Sequence, residues 1–350
     1  MARPGDAQQL VGGRPVAPFD IIRAAHAELV VRDLGRSREF YVDRLGFVVA
    51  DETPDALYLR AYEDRHHHCL ALHRGDVPAV RHLAFLVASE QDVDDAAAHF
   101  RASGRMQHYV SEGVEPGQGR AVRVLDPLGF PIELFAEMEQ RECLLQRYDR
   151  HRGARVQRID HFNLHVPDIQ AAFDYYFSEL GFRCSEYIAE EDGADGQAGE
   201  LLATWMFRKP SVHDVGLTAG AGPRLHHLGF WVADTDAILN VCDALGGGGG
   251  HGAIERGPGR HGVSNAFYLY LRDPDGHRVE LYTGDYWTGD PDLVPKRWSV
   301  TDDQRRSFWG HEVPARWYRE SSRVLDLHGD LVPVGADDSA EALRGPVLPG

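Results

Sequence analysis

A chain of 350 residues with 43% hydrophobic and 10% aromatic side chains is long enough for two domains of ordinary size, each with its own core. Its formal charge of −17 argues against nucleic acid or an anionic membrane as partner, since both require clustered Lys and Arg, but leaves room for a small anion met by a few local arginines. No stretch approaches the length of a membrane span, the first twenty residues lack a secretory pattern, and four scattered cysteines (Cys69, Cys143, Cys184, Cys242) form no CxxC pair, so the expectation is a reduced cytoplasmic protein.

In chain order, residues 1–18 read as a tail. An alternating strand over Ala24–Val31 leads into a short helix ending at Leu45-Gly46-Phe47, and two further strands follow. A strand at Arg81–Val87, a helix at Asp92–Ser103 and a hairpin turned on Asp126-Pro-Leu-Gly129 close the first copy; Pro presets φ there and Gly supplies the unusual backbone angle. The charged stretch Glu139–Arg155 marks a boundary. The same order then returns: a strand at Ile159–Val166, a helix ending at Leu180-Gly181-Phe182, a strand at Leu225–Val232, a helix at Thr235–Leu245 and a hairpin on Asp273-Pro-Asp-Gly276. The first half of the repeat has an offset of 135 residues and the second half 147, so the second copy carries an insertion.

The predicted fold class is therefore α+β: four βαβββ modules in two tandem domains, each an open barrel-like mixed sheet with helices outside. The first domain is expected over 19–145 and the second over 146–290. Residues 291–350 should cover the active site and then run out as a flexible tail. The run Gly246–Gly250 reads as a loop without regular structure, and the stretch after Asp326 as loop or loosely attached tail.

Chemistry concentrates on the second copy. Residues two apart share a strand face, so His161, Asn163 and His165 oppose Phe162, Leu164 and Val166, and His227 lies with Gly229 and Trp231. By the same alternation His226 points to the opposite face. Glu280 is flanked by Val279 and Leu281, while Tyr268 and Tyr270 oppose Phe267, Leu269 and Leu271. Any one histidine among nineteen is unremarkable as a satisfied core residue. Two imidazoles and a carboxylate on the inner face of repeat-related strands are a different matter, because unpartnered polar groups are costly to bury. His161, His227 and Glu280 form the facial set of two His and one carboxylate that binds a divalent ion and leaves positions open for an anionic chelating substrate and O₂.

The stretches Arg158-Ile-Asp-His-Phe-Asn163, Gly222-Pro-Arg-Leu-His-His-Leu228, Glu255–Tyr270 and Asp273–Glu280 closely resemble those of extradiol ring-cleavage dioxygenases of the vicinal-oxygen-chelate superfamily, above all the homoprotocatechuate (3,4-dihydroxyphenylacetate) 2,3-dioxygenases. The resemblance spans about residues 18–335, including Asp302–Gly310. It implies a meta-cleaving enzyme that inserts both atoms of O₂ into a catechol to give a ring-opened semialdehyde, with Fe(II) or else Mn(II) as cofactor and a homotetrameric assembly. Position by position, it implies His161, His227 and Glu280 as metal ligands, His213 as the acid–base residue, Tyr270 as the partner of a substrate oxygen, and Asn163 and His261 as second-sphere groups. Trp205, Arg256, Arg305, Arg306 and Val263 fall where the family surrounds its substrate, the arginines at a carboxylate arm. Two alternatives stay open: another enzyme of the superfamily, of the 4-hydroxyphenylpyruvate dioxygenase or glyoxalase kind, or a metal-free binding protein of the same fold. The first domain adds a departure. Its repeat-equivalent positions hold His26, His82 and Glu133, a second metal set or a hydrogen-bonded relic, with Arg123 in the place of Tyr270.

Overall fold

The computed structural model describes residues 16–105, 107–193, 199–314 and 316–335, so most of the expected N-terminal tail and the end of the C-terminal one lie outside the described residues. The first module is β1 (Ile21–Val31), α1 (Leu34–Arg38), β2 (Val48–Glu52), β3 (Ala56–Arg60) and β4 (Leu70–Arg74). The second is β5 (Ala79–Val87), α2 (Glu90–Ala102), β6 (Gln107–Val110), β7 (Ala121–Leu125) and β8 (Pro131–Phe135). The third comprises β9 (Arg158–Val166), α3 (Ile169–Asp174), β10 (Arg183–Ala189), β11 (Leu201–Phe207) and β12 (Val215–Ala219). The fourth comprises β13 (Arg224–Trp231), α4 (Thr235–Gly247), β14 (Ile254–Arg260), β15 (Phe267–Arg272) and β16 (Arg278–Thr283), after which β17 (Lys296–Ser299) joins the sheet. All four modules are βαβββ, as the repeat predicts.

The strands form two open sheets, ordered β2-β3-β4-β1-β5-β8-β7-β6 and β14-β15-β16-β13-β9-β12-β11-β10-β17. In every module the first strand lies parallel to the last, and the first strands of paired modules meet antiparallel at the centre of the sheet. The helices begin on side-chain caps, Asp33, Ser89, Asp168 and Asp234, each accepting from a backbone N–H in the first turn. α1 and α3 both run into a π-helical turn before the Leu-Gly-Phe segment, another trace of the duplication. One apolar core takes in both sheets. Phe162, Leu164 and Val166 of β9 meet Leu228 and Phe230 of β13 there, along with Leu269, Leu271, Val279 and Leu281, and the ring of Phe85 packs edge-on to that of Phe162. No described helix is long and apolar enough to cross a membrane.

One expectation is corrected and one is sharpened. The glycine run is partly helical: α4 continues through Gly246 and Gly247, because burial of Ala237, Ile238, Val241 and Leu245 anchors the helix and Gly249 at φ +72° ends it, with the Gly250 N–H returning to the Leu245 carbonyl. The chain after Asp326 is irregular, but up to Gly335 it is not loosely held. Val324 bridges Val80, Leu325 bridges Leu331, and Val332 packs on the core.

Gly46, in the first Leu-Gly-Phe segment, has φ +87°, and a Cβ there would stand 2.0 Å from the Arg152 carbonyl oxygen. Gly46→Ala should therefore lower the stability of the chain by roughly 2–4 kcal/mol, combining left-handed strain with displacement of backbone. A thermal unfolding scan checks this; an unchanged midpoint would contradict it.

Candidate metal centre and the cavity beside it

Alternation alone does not build this site; bulges do. Between Ile159 and His161 the pairing of β9 with β13 slips by one residue, so Ile159 and Phe162 both enter the core and Asp160 and His161 both face inward. A second slip between Leu225 and His227 does the same for His226 and His227, since Leu225 and Leu228 both enter the core. The expectation that His226 points away is thus wrong. Its ring lies beside that of His227, with the two Nδ1 atoms 2.6 Å apart, and its Nε2 meets the Trp317 carbonyl at 3.2 Å. Gly229 pairs with His161 on one side and Glu280 on the other, and a Cβ there would stand 2.1 Å from the His161 ring.

The predicted ligands converge. His161 Nε2 lies 3.1 Å from His227 Nε2 and 3.0 Å from Glu280 Oε2, and His227 Nε2 is 3.1 Å from the same oxygen. Three donors about 2.1 Å from one ion at right angles stand about 3.0 Å apart, whereas a tetrahedral set would be about 3.4 Å apart. The spacing fits one face of an octahedron.

The protons fit as well. The Asp160 carboxylate lies 3.1 Å from His161 Nδ1 and accepts its N–H, which leaves Nε2 with a lone pair. The Trp317 carbonyl takes the His226 Nε2 proton, so His226 Nδ1 accepts from His227 Nδ1, and His227 Nε2 is bare too. Two lone pairs and a carboxylate oxygen thus face one point, an arrangement that calls for a cation.

Burial raises the Asp160 pKa, but Lys209 at 3.7 Å, His161 and Arg158 outweigh it and hold the carboxyl well below its usual range. The Tyr282 hydroxyl also donates to Asp160. Burial pushes His227 down to about 4 against the pull of Glu280. Glu280 itself is held well below the carboxylate range, its burial outweighed by contacts from His161, His227 and His261.

The triad opens on a cavity of about 340 Å³, lined by His161, Asn163, Trp205, His213, His227, Arg256, His261, Val263, Tyr270, Glu280, Arg305 and Arg306. Every site residue expected from the sequence is in that wall. The His213 ring packs 3.9 Å from the His161 ring, its Nδ1 buried without a hydrogen-bond partner. Burial and the neighbouring His161 hold it well below the usual histidine value, so it is neutral at neutral pH. Tyr270 lies edge-on to His227, its pKa pushed well up by burial and by Glu280, so its phenol keeps its proton. His261 stacks on Tyr268, and its Nε2 is 3.9 Å from Glu280 Oε1. The loop after it is pinned by buried Glu186, which accepts from the Ser264 N–H, the Tyr286 hydroxyl and the Trp298 indole.

At the cationic end of the cavity, Arg256, Arg305 and Arg306 are in no ion pair among the described residues. Arg256 is 5% exposed and has a buried Nε without a partner; it stacks over Tyr268 and donates to the Arg306 carbonyl. Arg305, 6% exposed, donates to the Ser299 and Val300 carbonyls. A buried guanidinium without a carboxylate invites an anion. Sequence reasoning missed Asp160, Tyr282 and Trp317. Asp160 could have been found only by anticipating the bulge beside His161, and Trp317 comes from an irregular segment without periodicity.

The profile of the Glyoxalase/Bleomycin resistance protein/Dioxygenase superfamily matches residues 23–134 and 158–281. The chain belongs to that superfamily. Among solved structures it is similar to homoprotocatechuate 2,3-dioxygenase from Brevibacterium fuscum in complex with 3,4-dihydroxyphenylacetate, with 47% identity, 92% of this chain and 99% of that one covered, and a TM-score of 0.87. The homoprotocatechuate 2,3-dioxygenase of Arthrobacter globiformis is 48% identical, with 92% and 98% covered and a TM-score of 0.87. A manganese-dependent 2,3-dihydroxybiphenyl 1,2-dioxygenase from Geobacillus genomosp. 3 is 32% identical over 83% of this chain and 94% of its own length.

Asp160→Asn should weaken divalent-metal binding by about 10–100-fold while leaving the fold intact, because it removes the negative charge of the acceptor that fixes the His161 tautomer. Competition with a chelator, followed through metal content, measures this; unchanged affinity would contradict the proton assignment.

Proposed function

We propose that this chain, an extradiol dioxygenase of catechols, takes 3,4-dihydroxyphenylacetate as its substrate and opens the ring beside the two hydroxyls to a muconic semialdehyde. The observation that carries the choice of substrate is the placement of buried Arg256, which is in no ion pair among the described residues, with Arg305 and Arg306, in the same cavity as the bare His161, His227 and Glu280 donors. One end of the cavity suits a metal-chelating diol and the other a carboxylate arm. Such a substrate is the ligand of the similar Brevibacterium fuscum enzyme.

His161, His227 and Glu280 would hold Fe(II), with Mn(II) as the competing ion. When bound, the divalent ion supplies a cationic anchor for the two ring oxygens and the means of activating O₂. His213, neutral and unpartnered at Nδ1, accepts and returns the proton that ring opening moves. Tyr270, still protonated, donates to a ring oxygen. Asn163 and His261 flank the reacting face, with Val263 and Trp205 as apolar and aromatic walls. Arg256, Arg305 and Arg306 fix the carboxylate arm and so the end of the ring presented for cleavage. On this reading residues 146–290 form the catalytic domain, 19–145 a companion without ring-cleaving chemistry, and 291–350 a cover over the cavity. The cytoplasm suits four cysteines that are all free, and a homotetramer is the assembly we propose.

Incubation with 3,4-dihydroxyphenylacetate and Fe(II) in air should give O₂ uptake and a yellow semialdehyde; neither would appear if the protein only binds its ligand. Arg256→Gln should raise KM for this substrate by about 10–100-fold, and much less for a catechol without a carboxylate, since a charge-assisted hydrogen bond contributes about 1.5–3 kcal/mol. Equal effects on both substrates would refute the arm assignment. His213→Phe should lower kcat by about 10²–10⁴-fold with metal content unchanged. Because only neutral His213 accepts a proton and its pKa is depressed, with metal content held constant His213 should not limit activity in the wild type as pH falls below 6.5. A kcat profile against pH checks this.

A further inference from the structure

The first sheet repeats the construction of the second. His26 on β1 pairs with Ala84 on β5, and Ala84 pairs with Glu133 on β8, the same register that relates His161, Gly229 and Glu280. The bulges recur as well. The pairing slips between Ala24 and His26, and again where Val80 and Leu83 both enter the core, which turns His82 inward. All three side chains are buried. His26 Nε2 lies 3.1 Å from His82 Nε2 and 3.2 Å from Glu133 Oε1, and His82 Nε2 is 3.6 Å from that oxygen.

We propose that His26, His82 and Glu133 form a second divalent-metal site in the first domain, suited to a first-row ion such as Mn(II) or Zn(II) and structural in role. The outer groups of such a site are present. The Glu28 carboxylate lies 2.7 Å from His82 Nδ1, on the side of the ring that Asp160 occupies at His161. Glu133 is oriented by Gln118 at 2.8 Å and by Arg123 at 2.6 Å. Charge favours a cation too. Glu28, Glu115 and Glu133 are buried together, and Arg81 and Arg123 pair with them, which leaves one negative charge in excess when the imidazoles are neutral. A divalent ion removes that excess in a low-dielectric setting, where it is most expensive to leave.

Two differences set the role. Where the second domain has Gly229 and Tyr270, the first has Ala84 and Arg123, whose guanidinium pairs with Glu115 and Glu133 and is not a phenol that could donate to a substrate oxygen. Ala25 stands where Asp160 does, so His26 has no carboxylate behind it. Binding should therefore be weaker than at His161, His227 and Glu280 by about 10–100-fold.

Equilibrium dialysis of the full chain against Mn(II) tests this. The wild type should bind two ions per chain in two resolved steps, His82→Ala and His227→Ala one each, and the double variant none. The proposal is overturned if the wild type binds a single ion, if His82→Ala still binds two, or if the double variant retains one on its surface. Should His82→Ala fail to fold, His227→Ala decides alone: one ion retained supports the site and none rejects it. Ring cleavage by His82→Ala, which leaves the second domain untouched, confirms that its lost ion is not the catalytic one.

Discussion

The His161, His227 and Glu280 set is held by three paired strands, β9, β13 and β16, which approach closely across Gly229. The backbone of β13 runs between β9 and β16, and the His161 ring occupies the volume that any side chain at 229 would fill. That contact brings an imidazole from one strand and a carboxylate from another within 3.0 Å of each other without a flexible loop. Because all three ligands stand on the paired strands of one sheet, their positions are set by backbone hydrogen bonds and not by the metal. Organisation of this kind reduces the cost of assembling the site when an ion arrives.

The second layer around the triad controls protons. Asp160 and His226 each accept a hydrogen bond from the Nδ1 side of an imidazole of the triad, and both lie on the inner face only because each bulge adds a residue. The two extra residues are the ones that leave the Nε2 lone pairs free. Asp160 in turn keeps its charge in a fully buried position through Lys209, Arg158 and the Tyr282 hydroxyl. His213, packed on the His161 ring with no such support, stays neutral. Two imidazoles 3.9 Å apart therefore differ in what they offer: the tautomer of one is fixed by Asp160, and the other keeps a buried Nδ1 without a partner among the described residues.

Much of this was legible in the sequence. The internal repeat predicted four βαβββ modules, and alternation in β9, β13, β15 and β16 separated the core side chains from the inward ones. The resemblance then marked the residues that line one cavity. What escaped has one cause in common: a period-two reading assumes an unbroken ladder. A bulge reverses the alternation from its own position onward, and it carries no compositional mark in Ile159-Asp160-His161 or in Leu225-His226-His227. Helix α4 ran further than its glycines suggested because propensity is a weaker term than the burial of Val241 and Leu245 one turn earlier. Trp317, which receives the His226 N–H, belongs to a segment whose place is set by tertiary contacts alone.

β17 pairs with β10 at the edge of the second sheet, beyond the four modules, and the chain that follows supplies Arg305, Arg306 and Trp317 to the cavity. The far end of the cavity thus draws on two parts of the chain: Arg256 stands on β14 of the duplicated modules, whereas Arg305 and Arg306 come from the stretch beyond them. Selection can reshape that later stretch without touching the strands that hold the ligands. Within this architecture, relatives that open catechols with different substituents would be expected to diverge most in this added stretch and least across β9, β13 and β16. Exchanging it between such relatives is then a route to changing which ring is accepted while leaving the chemistry alone.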